Sequence, residues 1–313
     1  RNVCFDTDCT LIDEMWTGRP PLPGSQAFDH PIDSAGKGRA DKISEVRRIM
    51  NQQGANFHLL TSPDDIMWLL NIRGNDLKYS PLLLSFALVG NDQILLFADE
   101  AGIPFGIASA FDKLGIVILP YHEITEIISP VAEGYSVLLN PRTTSVSLFN
   151  SLSKASGLLE GISIPARLKA VKNKTEIENI GRVMVSDGVA VTRFFFWLEN
   201  NLGRSVLTET SLSVKLEEFR SLESNYRGQS FAPVIAFNSN SALPHYDPAV
   251  SPATEIEDRG ILLIDSGGHY TGGTTDITRT IPVGSPTARQ KTDFTMVLKG
   301  HINLAMAKFP EGT

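Results

Sequence analysis

Ile261-Leu262-Leu263-Ile264-Asp265-Ser266-Gly267-Gly268-His269-Tyr270-Thr271-Gly272-Gly273-Thr274-Thr275-Asp276-Ile277-Thr278-Arg279-Thr280 is the stretch on which the reading of this chain turns. An apolar run ends in an acid, a glycine-rich turn follows, and a second strand opens with another acid. A hairpin about Tyr270-Thr271 would set Asp265 directly opposite Asp276, with Cβ atoms about 5 Å apart. Carboxylates that close raise each other's pKa unless something positive lies between them. Spacing alone equally allows both acids to be turn residues, since Asp and Gly are common in turns. The apolar strand leading into Asp265 weighs against that reading, because it carries the acid inward. A bridging divalent cation is the natural compensation, and all-oxygen ligation favours hard ions such as Mn²⁺.

A second constellation lies upstream. Phe231-Ala232-Pro233-Val234-Ile235-Ala236-Phe237 reads as a strand, and Asn238-Ser239-Asn240-Ser241-Ala242-Leu243-Pro244 is a small polar loop that ends in His245-Tyr246. A lone loop histidine is ordinarily a solvated side chain, so His245 is a candidate only in combination with the acids.

Composition sets the frame. The 313 residues have room for about two domains. Apolar content of 42% and charged content of 20% are those of a soluble globular protein. No apolar run approaches the roughly 20 residues of a membrane helix. The net charge of -7 argues against a nucleic-acid partner, whose footprint is basic. Cys4 and Cys9 have no histidine cluster beside them and too few companions for a zinc site or a disulfide framework. They suit a reducing compartment, and a cytoplasmic location is expected. The start at Arg1 and the turn-like Phe309-Pro310-Glu311-Gly312-Thr313 read as the ends of a fragment.

Along the chain, residues 1–39 form a Pro-, Gly- and Asp-rich connector. Helical spacing begins at Lys42 and runs to Gln53, and Phe57–Leu60 reads as a strand. Ser62-Pro63-Asp64-Asp65 opens a helix, with the Ser62 hydroxyl as cap, and the helix stops near Gly74. Leu82–Val89 and Gln93–Phe97 flank Gly90-Asn91-Asp92 as a hairpin. Further helices are expected near Ala108–Leu114, near Glu123–Ile128 and from about Ser145. They alternate with strands at Ile116–Leu119 and Ser136–Leu139, which gives an α/β domain with a mixed sheet over 40–165. Ile162–Ala170 reads as a linker. A long helix from Asn173 to about Asn201 follows, with Ile177, Ile180, Val183, Val185 and Val189 expected on its buried side and Phe194–Trp197 in the core. Then come a helix at Ser211–Leu222, strands at Gly260–Asp265 and Asp276–Pro282, and a helix at Phe294–Lys308. Arg73 and Asp76 are expected to form a surface ion pair, and Glu255–Asp258 a solvated turn.

Three segments together resemble the Xaa-Pro aminopeptidases (aminopeptidase P), a branch of the pita-bread metallopeptidases. They are Asp265-Ser266-Gly267-Gly268 with Gly273–Thr280, the Asn240-Ser241-Ala242 to His245-Tyr246 loop, and Asp64–Gly74, which is similar to the middle domain of the three-domain cytosolic form. The resemblance covers nearly the whole chain from Trp16 onward. It implies a connector at 1–39, a creatinase/prolidase-like α/β middle domain at 40–165, and the first half of a pita-bread catalytic domain at 166–313. The fold class is then α/β and α+β. It also implies that Asp265 binds one metal, that Asp276 bridges two, and that His245 lies beside the substrate and helps handle the peptide or the proton. The remaining ligands, a histidine and two glutamates, would lie beyond Thr313, and neither His269 nor His301 would replace them. The implied cofactors are two Mn²⁺ ions. The implied partners are peptides with proline second and another copy of the chain, in a homodimer. A prolidase acting on Xaa-Pro dipeptides is an alternative, as is a non-catalytic peptide-binding relative. Metal-free creatinase-like chemistry is disfavoured by the paired acids.

Overall fold

In a computed structural model, residues 15–249, 254–310 and 312–313 are described. Cys4 and Cys9, and the first part of the expected connector, lie outside the described residues.

The elements in order are β1 (Phe28–Asp29), α1 (Ile32–Ala35), α2 (Arg39–Gln52), β2 (Phe57–Leu60), α3 (Pro63–Leu70), β3 (Ile72–Arg73), β4 (Phe86–Gly90) and β5 (Ile94–Ala98). They continue with α4 (Phe105–Asp112), β6 (Ile116–Pro120), α5 (Ile124–Val131), β7 (Ser136–Leu139), α6 (Val146–Ser151), β8 (Gly157–Glu160) and α7 (Ile164–Ala170). The second part holds α8 (Lys174–Asn201), α9 (Glu209–Ser221), β9 (Tyr226–Gln229), β10 (Val234–Phe237), β11 (Gly260–Ser266), β12 (Gly268–Tyr270), β13 (Gly273–Thr274), β14 (Ile277–Val283) and α10 (Ala288–Ala305).

The first part is built on a six-stranded sheet of order β6-β5-β4-β2-β7-β8. β4 pairs antiparallel with β2 and β5, while β5–β6, β2–β7 and β7–β8 are parallel, so the sheet is mixed, as expected. Strand alternation divides two cores. Leu60, Ala87, Val89, Ile94 and Leu96 face α2, α3, α4 and α7. Leu59, Leu88, Leu95 and Phe97 face α5 and α6. The hairpin at Gly90–Asp92 forms, closed by Gly90 N–H donating to Gln93 O at 2.9 Å.

Several expectations change. Ile162–Ala170 is not a linker. Pro165 sits in the first turn of a helix, where its missing N–H is harmless, and the Ser163 hydroxyl caps it. The Ser62 hydroxyl makes no cap bond, so α3 starts on Pro63 and two acids alone, and it stops at Asn71 in the left-handed region. β4 begins at Phe86, four residues later than expected. Arg73 and Asp76 form no ion pair. Arg73 donates to the Met67 and Ile72 carbonyls, and Asp76 accepts from the Ser25 and Leu84 N–H groups. The buried side of α8 is Asn179, Val183, Asp187, Ala190, Phe194 and Leu198, whereas Ile177, Val185 and Val189 are exposed. Phe194 lies in the core and Phe196 faces out.

In the second part, helices α8 and α9 cover one face of the three-stranded sheet β10-β11-β14. Phe194, Leu198, Leu212 and Leu216 pack there on Ile235, Phe237, Leu262 and Ile264. Period-two alternation along β11 then points Ile261, Leu263 and Asp265 to the face away from those helices. The hairpin turns at Thr271-Gly272 and continues into a second small sheet, β13-β12-β9. The two parts are tied together by side chains. Asn173 and Asn179 donate to Ala35 O and Asp33 O at 2.8 and 2.9 Å, and the His269 ring bonds Tyr79 O at 2.8 Å.

Candidate metal centre

The register of the hairpin differs from expectation by two residues. Asp265 stands opposite Thr278, not Asp276. His269 pairs with Thr274 and Tyr270 with Gly273, which continues the same register across the break at Gly267. The turn falls one residue later than the glycine pattern suggested, and the partner of any residue therefore moves by two. A shift of two keeps side chains on their face. Carried across the unpaired residues 275–276, the same register sets Asp276 diagonal to Asp265, a relation of about 7–8 Å within a ladder.

Gly267 is what lets the two ladders meet. A Cβ at this position would overlap the Thr275 carbonyl oxygen and the Ser230 hydroxyl. Ser230 also donates its hydroxyl to that carbonyl at 3.0 Å, and the Thr275 hydroxyl accepts from Gly268 N–H at 3.0 Å. The segment that follows Asp265 is thereby fixed against the one that leads into Asp276.

Asp265 is half-buried and its Oδ1 accepts the Thr278 hydroxyl at 2.7 Å. Asp276 is exposed. Neither is in an ion pair among the described residues, so both carboxylates keep lone pairs without a cationic partner. Val234 and Ala236 of β10 flank Asp265 and Leu263 on the same face and offer no competing charge. Such a donor set suits two ligands of an all-oxygen site for a hard divalent ion. Among the described residues no group of three or more His, Cys, Asp or Glu side chains could hold a metal ion.

His245 does not reach the acids through any hydrogen bond. It is exposed, on the turn after Leu243, and its backbone lies in the left-handed region at φ 61°. Its neighbour Tyr246 is buried, and its hydroxyl donates to Glu209 at 2.6 Å. Burial first, and then this bond to a carboxylate, push the Tyr246 phenol up to about 12. Glu209 was not singled out from the sequence. The sequence reading starts this helix at Ser211, whereas α9 begins at Glu209 with Thr208 as its cap, and only the tertiary structure shows the carboxylate to be buried.

His269 and His301 are separate from the pair. His269 spans Thr274 and Tyr79, a structural bridge between the two parts. His301 is exposed on α10, in a cleft of about 860 Å³ that also has Asn238, Thr278, Thr280, Phe294 and Leu298 on its walls. This cleft is not lined by Asp265, Asp276 or His245. It is apolar space between an edge strand and a helix that buries none of its residues.

Comparison with known proteins adds the family. Residues 18–176 match the creatinase/prolidase N-terminal domain, and residues 178–313 match metallopeptidase family M24. The chain is 35% identical over 317 residues to "Probable Xaa-Pro aminopeptidase P" of Sordaria macrospora, covering 97% of this chain and 51% of the relative. It is 32% identical over 357 residues to "Aminopeptidase P1" of Arabidopsis thaliana, covering 98% and 55%. The solved X-prolyl aminopeptidase of Caenorhabditis elegans, described as a cytosolic enzyme with a di-nuclear active site, superposes with a TM-score of 0.89 at 34% identity. That match covers 97% of this chain and 51% of that one. The chain thus spans about half the length of the relatives it matches. It belongs to metallopeptidase family M24, with a creatinase/prolidase N-terminal domain ahead of a pita-bread segment, and is similar throughout to the Xaa-Pro aminopeptidases.

Proposed function

We propose that this chain is part of a metallo-aminopeptidase that releases the N-terminal residue from peptides with proline in second place. The feature that carries the reading is the hairpin that brings the strands of Asp265 and Asp276 together, two carboxylates that form no ion pair among the described residues. The aminopeptidase relatives support the substrate class. The di-nuclear neighbour supports two divalent ions, which we take to be Mn²⁺.

In this reading Asp265 would hold one ion and Asp276 would be shared between the two, as members of a larger ligand set. When bound, such a pair supplies an activated water and polarises the scissile carbonyl. Asp265 keeps its orientation through the Thr278 hydroxyl. His245, held out on its turn, contacts the peptide or a transferred proton. Proline second gives a peptide nitrogen without hydrogen, so a site for it cannot depend on that donor. The division into a connector at 1–39, a middle domain at 40–165 and a catalytic segment at 166–313 belongs to the same proposal, as do a homodimer and a cytoplasmic setting. The 313 residues alone are expected to bind metal weakly and to be inactive, because two carboxylates do not complete a dinuclear site.

A family-length enzyme that contains this segment is expected to cleave a tripeptide with proline second at least as well as the corresponding Xaa-Pro dipeptide. Cleavage confined to the dipeptide would make it a prolidase instead. Binding of peptides without cleavage of either would leave the peptide-binding reading.

A further inference from the structure

The histidine loop is strained and yet well defined. Asn238 and His245 both occupy the left-handed region without being glycine, at φ 49° and 61°. Such conformations cost on the order of 1–3 kcal/mol each and persist only where the surroundings over-determine them. One side chain supplies most of that constraint. Glu209 is 0% exposed, and its two carboxylate oxygens collect donors from both ends of the loop. Oε1 accepts from Phe237 N–H at 2.7 Å and from the Asn240 amide at 3.0 Å. Oε2 accepts from the Tyr246 hydroxyl at 2.6 Å and from Thr254 N–H at 3.2 Å. Glu209 N–H in turn donates to Thr254 O at 3.1 Å.

These donors span the chain from Phe237, at the end of β10, to Thr254, and one of them is next to His245. Among the described residues Glu209 has no ion-pair partner. Its charge is held by the four donors and by its place as the first residue of α9, where the helix dipole favours an anion. A buried carboxylate in that state is costly to keep for packing alone.

We propose that Glu209 is a positioning residue for the reaction, which fixes the loop so that His245 meets the substrate in one orientation. This rests on the reading of His245 as a substrate-facing group. Glutamine at 209 keeps the volume but turns one acceptor oxygen into an N–H₂ donor. That donor would then face either Tyr246 and Thr254 or Phe237, and the loop would lose its common anchor.

The test is a double-mutant cycle in the family-length enzyme with a tripeptide carrying proline second. Glu209→Gln is expected to lower kcat by roughly 10- to 100-fold, the cost of misplacing a reacting group by about an ångström, with KM nearly unchanged. His245→Ala is expected to lower kcat by at least as much, and the double variant no further than His245→Ala alone. Tyr246→Phe removes one donor and keeps the buried charge. It is expected to show a smaller loss, equally absent on a His245→Ala background, and it decides the matter if Glu209→Gln does not fold. Full kcat in Glu209→Gln or Tyr246→Phe beside an impaired His245→Ala, or losses that multiply, would overturn the positioning role and leave the histidine's role intact. Full activity in His245→Ala would overturn the histidine's role and this inference with it.

Discussion

At the scale of single residues, burial decides what a side chain does more than its type. His58 is 0% exposed and lies between two backbone groups. Its Nε2 accepts from Ile164 N–H at 3.2 Å, so Nδ1 carries the proton and donates to Leu138 O at 3.0 Å. Burial holds the imidazole well below its usual 6.5, at about 4. Between those two values the unfolded chain binds the proton and the folded chain does not, so stability rises with pH. The contribution is complete above about pH 6.5 and is lost as pH falls toward 4. It amounts to roughly 3 kcal/mol at 1.36 kcal/mol per unit. Urea unfolding at pH 4.5 and 7.5 is expected to show a smaller pH difference for His58→Gln than for the parent. His30, held down to about 3 mainly by burial, keeps a slope of the same sign in both proteins. An unchanged difference would mean that His58 is not the group titrating. In the sequence His58 is one residue of Phe57-His58-Leu59-Leu60, and its period in that strand could be read, but not its partners 80 and 106 residues away.

At the scale of elements, strands and helices were legible where periodicity was strong, and their faces were less so. α8 was found within a residue, but of the residues assigned to its core side Val183 is buried and Ile180 half-buried, while Ile177, Val185 and Val189 are exposed. What faces inward includes Asn179 and Asp187, because polar groups there find partners. Arg220 Nε donates to Asp187 Oδ1 at 2.7 Å and Arg220 Nη2 to Oδ2 at 3.3 Å, while the Tyr270 hydroxyl donates to Oδ1 at 2.7 Å. Burial and the neighbouring Asp187 both raise the Tyr270 phenol above its ordinary range. This cluster fastens β12, and so the hairpin of the acids, to α8 and α9. Asp187→Asn leaves the Arg220 guanidinium buried and uncompensated, and it is expected to cost about 3–5 kcal/mol. Tyr270→Phe is expected to cost about 1–2 kcal/mol through one orphaned acceptor site. Denaturant midpoints measure both, and a shift for Asp187→Asn no larger than for Tyr270→Phe would show the ion pair to be dispensable. The hairpin register was missed for a related reason. Gly267, Gly268, Gly272 and Gly273 mark a turn without fixing its centre, and the contact of Gly267 with Thr275 that fixes it is invisible in one dimension.

At the scale of the whole molecule, two kinds of surface coexist. The first part closes its cores on both faces of the six-stranded sheet. The second covers one face of its sheet with α8 and α9 and leaves the other, with Asp265, open. α10 carries Phe294, Val297, Leu298 and Ile302 exposed, and β14 is an edge strand beside the 860 Å³ cleft. The acids, the turn glycines and the histidine loop were visible as motifs from the start, because residue type and spacing mark them in one dimension. Glu209 was not, since an acid at a helix start is common for reasons of capping alone. The most direct measurement is metal add-back on the family-length enzyme. Protein stripped with chelator is titrated with Mn²⁺ while release of the N-terminal residue from a tripeptide with proline second is followed, for the parent, Asp265→Asn and Asp276→Asn. The expected result is recovery in the parent and a loss of more than about 100-fold in each variant with weakened Mn²⁺ binding, since even groups behind a metal's ligands cost 10- to 100-fold when removed. Cleavage that survives chelation, or variants that recover like the parent, would contradict the assignment of Asp265 and Asp276 as ligands of the catalytic ions.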